Sequence, residues 1–519
     1  MKKRIPIIDL FAGPGGLGEG FMSLKDKNGK SIFDIKLSIE KEENAHKTLT
    51  LRSFYRQFKK DNKTVPKAYY RALKQPDIAE REKQIEKLLN DYPEGKKAKS
   101  EARLIELGSK NWPPEIVDAL IKERLKGEKN WVLIGGPPCQ AYSSAGRVRV
   151  GGINKKDHRV YLYREYLRII ENHEPAIFVM ENVKGLLSAK VDDEKVFDWM
   201  KKDLTVENKY TIHSFVKPVN KDIDYLIKSE KFGIPQKRHR VILFGIRKGL
   251  KHIGEYLNEK EEVQLQDVIS DLPPLRSKLN RKFIKNHKTD LYSNGRPKKV
   301  YENLEDSSEG WKKLMNQNLK IIKSWGSLEL NGLTKGFDKI NLDLGSEFTS
   351  KLSSFKGNNK LKKWYLDKEL NGVTNHDARG HLTQDLMRYL FSAIFVENNN
   401  EFPRIKDFAK QNKTLLPEHA NVLSGKFVDR FKVQMRNKPA STVTCHISKD
   451  GHTFIHYDPT QCRTLTVREA ARIQTFPDNY LFRGSRTAQY HQVGNAVPPF
   501  LALQIAEIVY KTVSENEII

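Results

Sequence analysis

The pattern that most restricts what this chain can fold into is a strand, a glycine-rich turn and a helix in immediate succession near its start. Pro6 to Phe11 is an apolar run, Gly13 to Gly20 is rich in glycine, and Ile35 to Glu40 is a second short strand ending in an acid. This is the opening of a βαβ unit, and it points to an α/β architecture. Apolar runs return at Trp131 to Ile134, Ala176 to Met180 and Val241 to Gly245, with a helical pattern from Tyr161 to Ile170 between the first two. Such alternation predicts a parallel sheet with helices on both faces.

Two stretches break the rhythm. Residues 51–128 are charge-rich with helical pieces at Ile78 to Leu89 and Pro114 to Leu125, and read as an inserted helical subdomain. From Lys248 to Cys462 the chain is basic, dotted with aromatics and irregular, which predicts a second, smaller α+β domain. The expected division is 1–247 with the insertion 51–128 inside it, 248–455, and a return of 456–519 to the first domain. No internal repeat occurs.

Composition narrows the partners. Lys and Arg number 92 against 65 Asp and Glu, a net charge of +27 over 519 residues. That excess favours a polyanion, because each phosphate contact releases counterions. It does not separate DNA from RNA. No run of roughly 18 apolar residues marks a membrane-spanning helix. The basic start Met1 to Arg4 is followed almost at once by Asp9 and the glycine turn, so it reads as a strand rather than a signal peptide. The three cysteines, Cys139, Cys445 and Cys462, form no closely spaced metal-ligand pair. No metal is expected, and so sparse a set suits the reducing cytoplasm.

The chemistry concentrates at strand ends. Glycines in the first turn let backbone approach a ligand closely, although their spacing matches neither the dinucleotide fingerprint nor a P-loop. Glu40 closes the second strand, where an acid can accept hydrogen bonds from ribose hydroxyls; a plain surface carboxylate is the other reading. Gly135-Gly136-Pro137-Pro138-Cys139-Gln140 directly follows a strand, so Cys139 is presented where reacting groups collect in open α/β sheets. A free thiol near pKa 8.5 is only a few per cent ionised at neutral pH and needs help to attack. Arg147, Arg149, Lys155, Lys156 and Arg159 follow in a glycine-containing loop that could close over a bound polyanion.

With these residues in view a resemblance is plain. Phe-Ala-Gly-Pro-Gly-Gly at 11–16, Pro-Pro-Cys-Gln at 137–140, Glu-Asn-Val at 181–183, Gln-Lys-Arg-His-Arg at 236–240 and Gln-Val-Gly-Asn-Ala-Val-Pro-Pro at 492–499 resemble the ordered motif set of the DNA cytosine-5 methyltransferases. The segment 463–477 adds a sixth. The resemblance implies a Rossmann-like S-adenosylmethionine-dependent methyltransferase sheet, with 248–455 as the target-recognition domain and Thr442-Val443 as its short recurrent element. It implies Cys139 as the nucleophile on carbon 6 of cytosine and Glu181 as the acid at N3, with a raised pKa in a dry pocket beside the thiolate. Arg240 would hold the cytosine carbonyl and Arg238 would support the active-site loop. Phe11, Gly13, Gly15, Gly16, Leu17, Glu40, Leu162, Asn495 and Ala496 would surround S-adenosylmethionine. The target base would have to leave the duplex.

The same resemblance implies double-stranded DNA as partner, a monomer acting on it, and a cognate restriction endonuclease reading the same sequence. Two departures stand out: Lys41 occupies the place of a common adenine-stacking aromatic, and the acid expected after the third strand has no evident position. An RNA-methylating branch shares several motifs, but its recognition region is generally short where this one is long. A non-catalytic binding protein on this scaffold should have lost Cys139, Glu181 or the glycines, and all are present. Asn375-His376, His446 and His456 have no compact metal-ligand spacing and read as DNA contacts or core hydrogen bonds.

Overall fold

The computed structural model describes residues 3–138, 162–191, 193–293, 295, 297–330, 332–417 and 431–516. Ile5–Leu10 (β1) is buried along its whole length, as a strand covered on both faces must be. It leads through the glycine turn into Gly16–Ser23 (α1) and then Phe33–Glu40 (β2). The helices Glu43–Lys59 (α2), Lys67–Lys74 (α3), Ile78–Asp91 (α4) and Pro93–Glu101 (α5) precede Ala102–Leu104 (β3). Pro114–Leu125 (α6), Val132–Gly135 (β4), Leu162–His173 (α7) and Ile177–Val183 (β5) follow. Tyr210–Ser214 (β6), Leu226–Lys228 (β7) and His239–Arg247 (β8) complete the main sheet.

The sheet order is β3-β2-β1-β4-β5-β8-β6, with β7 also paired to β8. The first five of these strands are parallel, but β8 runs antiparallel to β5, β6 and β7. The all-parallel expectation is therefore corrected at one edge. The link 229–238 between β7 and β8 is too short for the helical crossover that a parallel return needs.

The insertion expected over 51–128 is also corrected. It is not one separate helical subdomain, because β3 lies inside it on the sheet edge, pairing Ser38 to Glu40 with Ala102 to Leu104. The following helix α6 returns the chain to β4 and packs Val117, Ile121 and Leu125 into the same buried cluster as Leu37, Ile39 and Leu133. Only α3 to α5 stand apart, joining the outer face of α2 in a small core of Phe54, Phe58, Tyr69, Ile85 and Leu88.

Beyond the sheet the chain forms Lys278–Leu291 (β9), Pro297–Asn303 (β10), Ser308–Ser324 (α8), Gly380–Leu382 (β11) and Thr383–Asn399 (α9). Arg486–Asn495 (α10) and Pro499–Glu515 (α11) close it. One buried apolar cluster runs from Ile5 and Phe33 in the sheet through Trp311, Tyr389 and Phe391 to Ile505 and Val509 in α11. The later region is thus packed onto the sheet rather than tethered beside it.

Candidate active site

The glycine turn is built for close approach. Phe11, Gly13 and Gly15 adopt φ of 55°, 57° and 99°, which lets the backbone reverse between β1 and α1. No atom lies within 4 Å of where a Cβ on Gly13 would stand, so open space faces the turn there. Gly16 is pressed the other way: its Cβ would meet the carbonyl oxygen of Val497 at 2.4 Å. The turn is thereby seated on the segment that follows Asn495 and Ala496. Tyr480 adds a hydrogen bond from its hydroxyl to the Pro14 carbonyl.

Glu40 ends β2 beside this turn. Its carboxylate accepts the Gly13 amide at 2.7 Å, the Lys41 amide at 2.9 Å and the Glu42 amide at 2.7 Å. Burial pushes its pKa up against those three donors. Leu17 and Ala496 are buried, Asn495 is exposed at the end of α10, and Leu162 is a buried residue opening α7. An open space over Gly13, backbone amides at a helix start and an acid at the neighbouring strand end suit a nucleoside carrying an amino-acid tail, so the residues present fit S-adenosylmethionine.

The second half of the site lies two strands along the sheet. Gly135 ends β4 with its Cβ position 2.5 Å from the Leu10 carbonyl oxygen, and a Cβ on Gly136 would stand 2.8 Å from Glu181 Oε2. The turn that leads to Cys139 is therefore laid directly against Glu181. Glu181 is ion-paired with Arg240, Oε1 to Nε at 2.7 Å, and both side chains are largely buried. Arg240 also donates to the His239 carbonyl at 2.9 Å.

Arg238 does different work. Its side chain is buried, and it donates to the carbonyls of Val443 at 2.8 Å and Gly494 at 3.1 Å. Burial, with the Arg240 cation adding to it, pushes this guanidinium well below its usual pKa. Arg238 thus ties β8 to the Thr442-Val443 element and to the end of α10. Gly494 makes that junction possible, since its Cβ would stand 2.3 Å from the Cys445 amide nitrogen.

Cys139 and the basic residues Arg147, Arg149, Lys155, Lys156 and Arg159 lie outside the described residues. Of the histidines named above, His376 is a core residue bonded to Thr466 Oγ1 at 3.0 Å and the Pro273 carbonyl at 2.9 Å, and His456 is buried near Glu469.

Three residues here were given no role of their own by the sequence reading. Gly136, named above as part of the 135–140 motif, lies against Glu181, a contact the motif alone did not foretell. Gln236 receives the Val443 amide at 2.8 Å and donates to Gln474 at 2.6 Å, a role foreshadowed by its place in the 236–240 motif. Glu106, just past β3, pairs with Lys41 at 2.9 Å and stands, in chain order, where an acid after the third strand was expected. The signal was there in the order strand, acid, but β3 is too short and too polar to read.

A family model described as C-5 cytosine-specific DNA methylase matches residues 109–511. The type II methyltransferase M.Bpa9945I of Bacillus paralicheniformis is 34% identical over 97% of this chain and 98% of its own length. The type II methyltransferase M.AgeI of Thalassovita gelatinovora is 26% identical over 74% of this chain and 83% of its own. The DNA (cytosine-5-)-methyltransferase M.ApeKI of Aeropyrum pernix is 29% identical over 74% and 81%.

Proposed function

The chain belongs to the C-5 cytosine-specific DNA methylase family, and on that premise we propose that it methylates carbon 5 of a cytosine flipped out of a short duplex sequence, with S-adenosylmethionine as donor and Cys139 as nucleophile. It is a DNA (cytosine-5-)-methyltransferase on a Rossmann-like methyltransferase sheet. The type II names of its relatives support a restriction-modification setting, in which the product would be DNA shielded from a cognate endonuclease.

The observation that carries the reading is the convergence of Gly136, Glu181 and Arg240 on one rim, two strands from the Gly13–Glu40 cradle. When bound, S-adenosylmethionine supplies an electrophilic methyl group on a sulfonium. The chain must make a poor nucleophile, carbon 5 of an aromatic ring, attack it. The Cys139 thiolate forms a bond to carbon 6, and the ring electrons it displaces are drawn toward N3. Glu181 hydrogen-bonds N3 and delivers a proton there, while Arg240 holds the ring carbonyl. Carbon 5, made enamine-like in this way, is nucleophilic enough to accept the methyl group that bound S-adenosylmethionine would supply. Loss of the carbon 5 proton to a base, cleavage of the sulfur–carbon 6 bond and return of the N3 proton to Glu181 restore the neutral ring and free Cys139.

Around the donor, Phe11, Leu17, Leu162, Asn495 and Ala496 are assigned to the cofactor wall, Gly13, Gly15 and Gly16 to its amino-acid end, and Glu40 to the ribose hydroxyls. Glu106 is assigned to the adenine amino group. Bringing cytosine out of the stack costs a few kcal/mol, offset by contacts made only with the extruded base.

The test is bisulfite sequencing of plasmid DNA from cells expressing the protein, beside a Cys139→Ala control. Protected cytosines at one recurrent sequence, absent from the control, are expected. Protection that persists in the control would remove Cys139 from its role.

A further inference from the structure

A cavity of about 480 Å³ opens where the end of α1, the helices α2 and α3, the short helix Asn359–Tyr365 with the turn after it, and the segment 477–479 meet. It lies at the far end of the sheet from the catalytic rim. Ser31 on its wall precedes β2 and donates its amide to the Lys60 carbonyl just past α2, whereas Glu40 ends β2 and Gly136 follows β4. No residue given above to the methyl donor or to the cytosine lines it.

Its charged groups are unevenly matched. Glu19 is closed off by Arg52, which donates to both carboxylate oxygens and, through Nη1, to Asn479 Oδ1 at 2.8 Å. Asp367 is likewise used up: it accepts from Asn479 Nδ2 at 2.5 Å, from the Tyr70 hydroxyl at 3.3 Å and from the amides of Glu369 and Leu370. What is left is cationic. Lys25, Lys59, Lys363 and Lys368 line the cavity without a carboxylate partner among the described residues, and Glu369 is the one lining carboxylate still free to answer them there. Arg56 on the same wall is buried and leaves its Nε without an acceptor among the described residues. Ammonium groups sharing one cavity repel one another and draw in an anion.

The cavity also offers a flat, fixed surface. Half-buried Trp364 donates its Nε1–H to the Thr475 carbonyl at 2.7 Å and packs against Phe500, so its indole is held in place on the lining. Met22, Leu366 and Pro477 add apolar wall. Small-molecule sites commonly enclose about 300–1,000 Å³, with apolar and aromatic walls for the body of the ligand and a few polar groups to orient it.

We propose that this cavity binds a nucleoside polyphosphate, its base against Trp364 and its phosphates among Lys25, Lys59, Lys363 and Lys368. The site is separate from the methylating centre and does not rest on the function proposed above. Its occupant ties α1 and α2 to the 363–369 segment, so binding raises the melting temperature.

The experiment titrates ADP into the full chain by calorimetry, with S-adenosylmethionine in excess so that the glycine-turn cradle is filled. Lys363→Glu with Lys368→Glu is compared with the same pair changed to Arg, and the melting of each sample establishes that it is folded. One ADP per chain is expected, with affinity lowered by about 10-fold or more in the glutamate variant and kept in the arginine variant. Pyrophosphate alone is expected to bind about 10-fold more weakly than ADP, because it leaves the Trp364 surface bare. Pyrophosphate that binds as tightly as ADP would overturn the nucleotide assignment. ADP binding left intact in the glutamate variant would put the nucleotide elsewhere and overturn the site, as would the absence of heat at millimolar ADP. Displacement of ADP by duplex DNA would give these lysines to nucleic acid and overturn the site as well.

Discussion

Arg240 Nε stands 2.7 Å from Glu181 Oε1, reaching diagonally across antiparallel strands whose register sets Val183 opposite Arg240 and Ile242 opposite Glu181. Diagonal neighbours share one sheet face, so the pair is presented together at the rim that Gly136 approaches. Glu181→Gln keeps the shape and removes the transferable proton. Its single-turnover methylation rate is expected to fall by about 10²–10⁴-fold with DNA and cofactor binding nearly unchanged. An unaltered rate would take Glu181 out of the proton path.

Gly136→Ala places a methyl group where 2.8 Å separates it from Glu181 Oε2. The carboxylate must move, and a displacement near 1 Å is worth about 10²-fold in rate. The expected result is a loss of turnover without a comparable loss of thermal stability, read from steady-state kinetics and melting on the same sample.

Arg238→Ala strips hydrogen bonds from the buried carbonyls of Val443 and Gly494 at once. Charge-assisted bonds of this kind make the expected destabilisation about 3 kcal/mol in denaturant unfolding. A shift within error of zero would show that the junction is held by other contacts.

Asp9 gives a pH signature. It is buried at the end of β1, neither carboxylate oxygen has a hydrogen-bond partner among the described residues, and burial raises its pKa to about 8. A carboxyl raised in the folded state holds a proton that the unfolded chain has released, so stability falls as pH rises from about 4 to about 8 and then levels. Asp9→Asn removes this dependence. The stability of the variant relative to the parent should therefore grow across that window, and a gap independent of pH would refute the assignment.

Glu106→Ala breaks the pair with Lys41 at the end of β3. If Glu106 meets the adenine amino group, affinity for S-adenosylmethionine is expected to drop by about 10-fold or more, while affinity for an analogue lacking that amino group is unchanged. Calorimetric titration of both ligands decides it.

The opening strand, turn and second strand were largely legible because their parts are local. β1, β2 and the turn between them follow from apolar runs and from glycines at forced positive φ, and α6 is bounded by Pro114 and Leu125 in sequence and structure alike. What was hidden is non-local or short. β3 is three residues with Arg103 at its centre, which offers no apolar run to read. The reversal of β8 depends on the route of the chain through β6 and β7 rather than on the composition of β8. Arg238 could be marked as functional from its motif, but its partners lie 205 and 256 residues away, where no spacing rule reaches.

The seating of Gly16 against the Val497 carbonyl has a consequence for biosynthesis. The two walls of the cradle are about 480 residues apart in the chain, and at ribosomal speeds of about 5–20 residues per second roughly 25–100 s separate their emergence. A nascent chain thus carries the glycine turn with no floor beneath it. If the cradle holds the methyl donor as proposed, its competence to do so waits on the segment that follows α10.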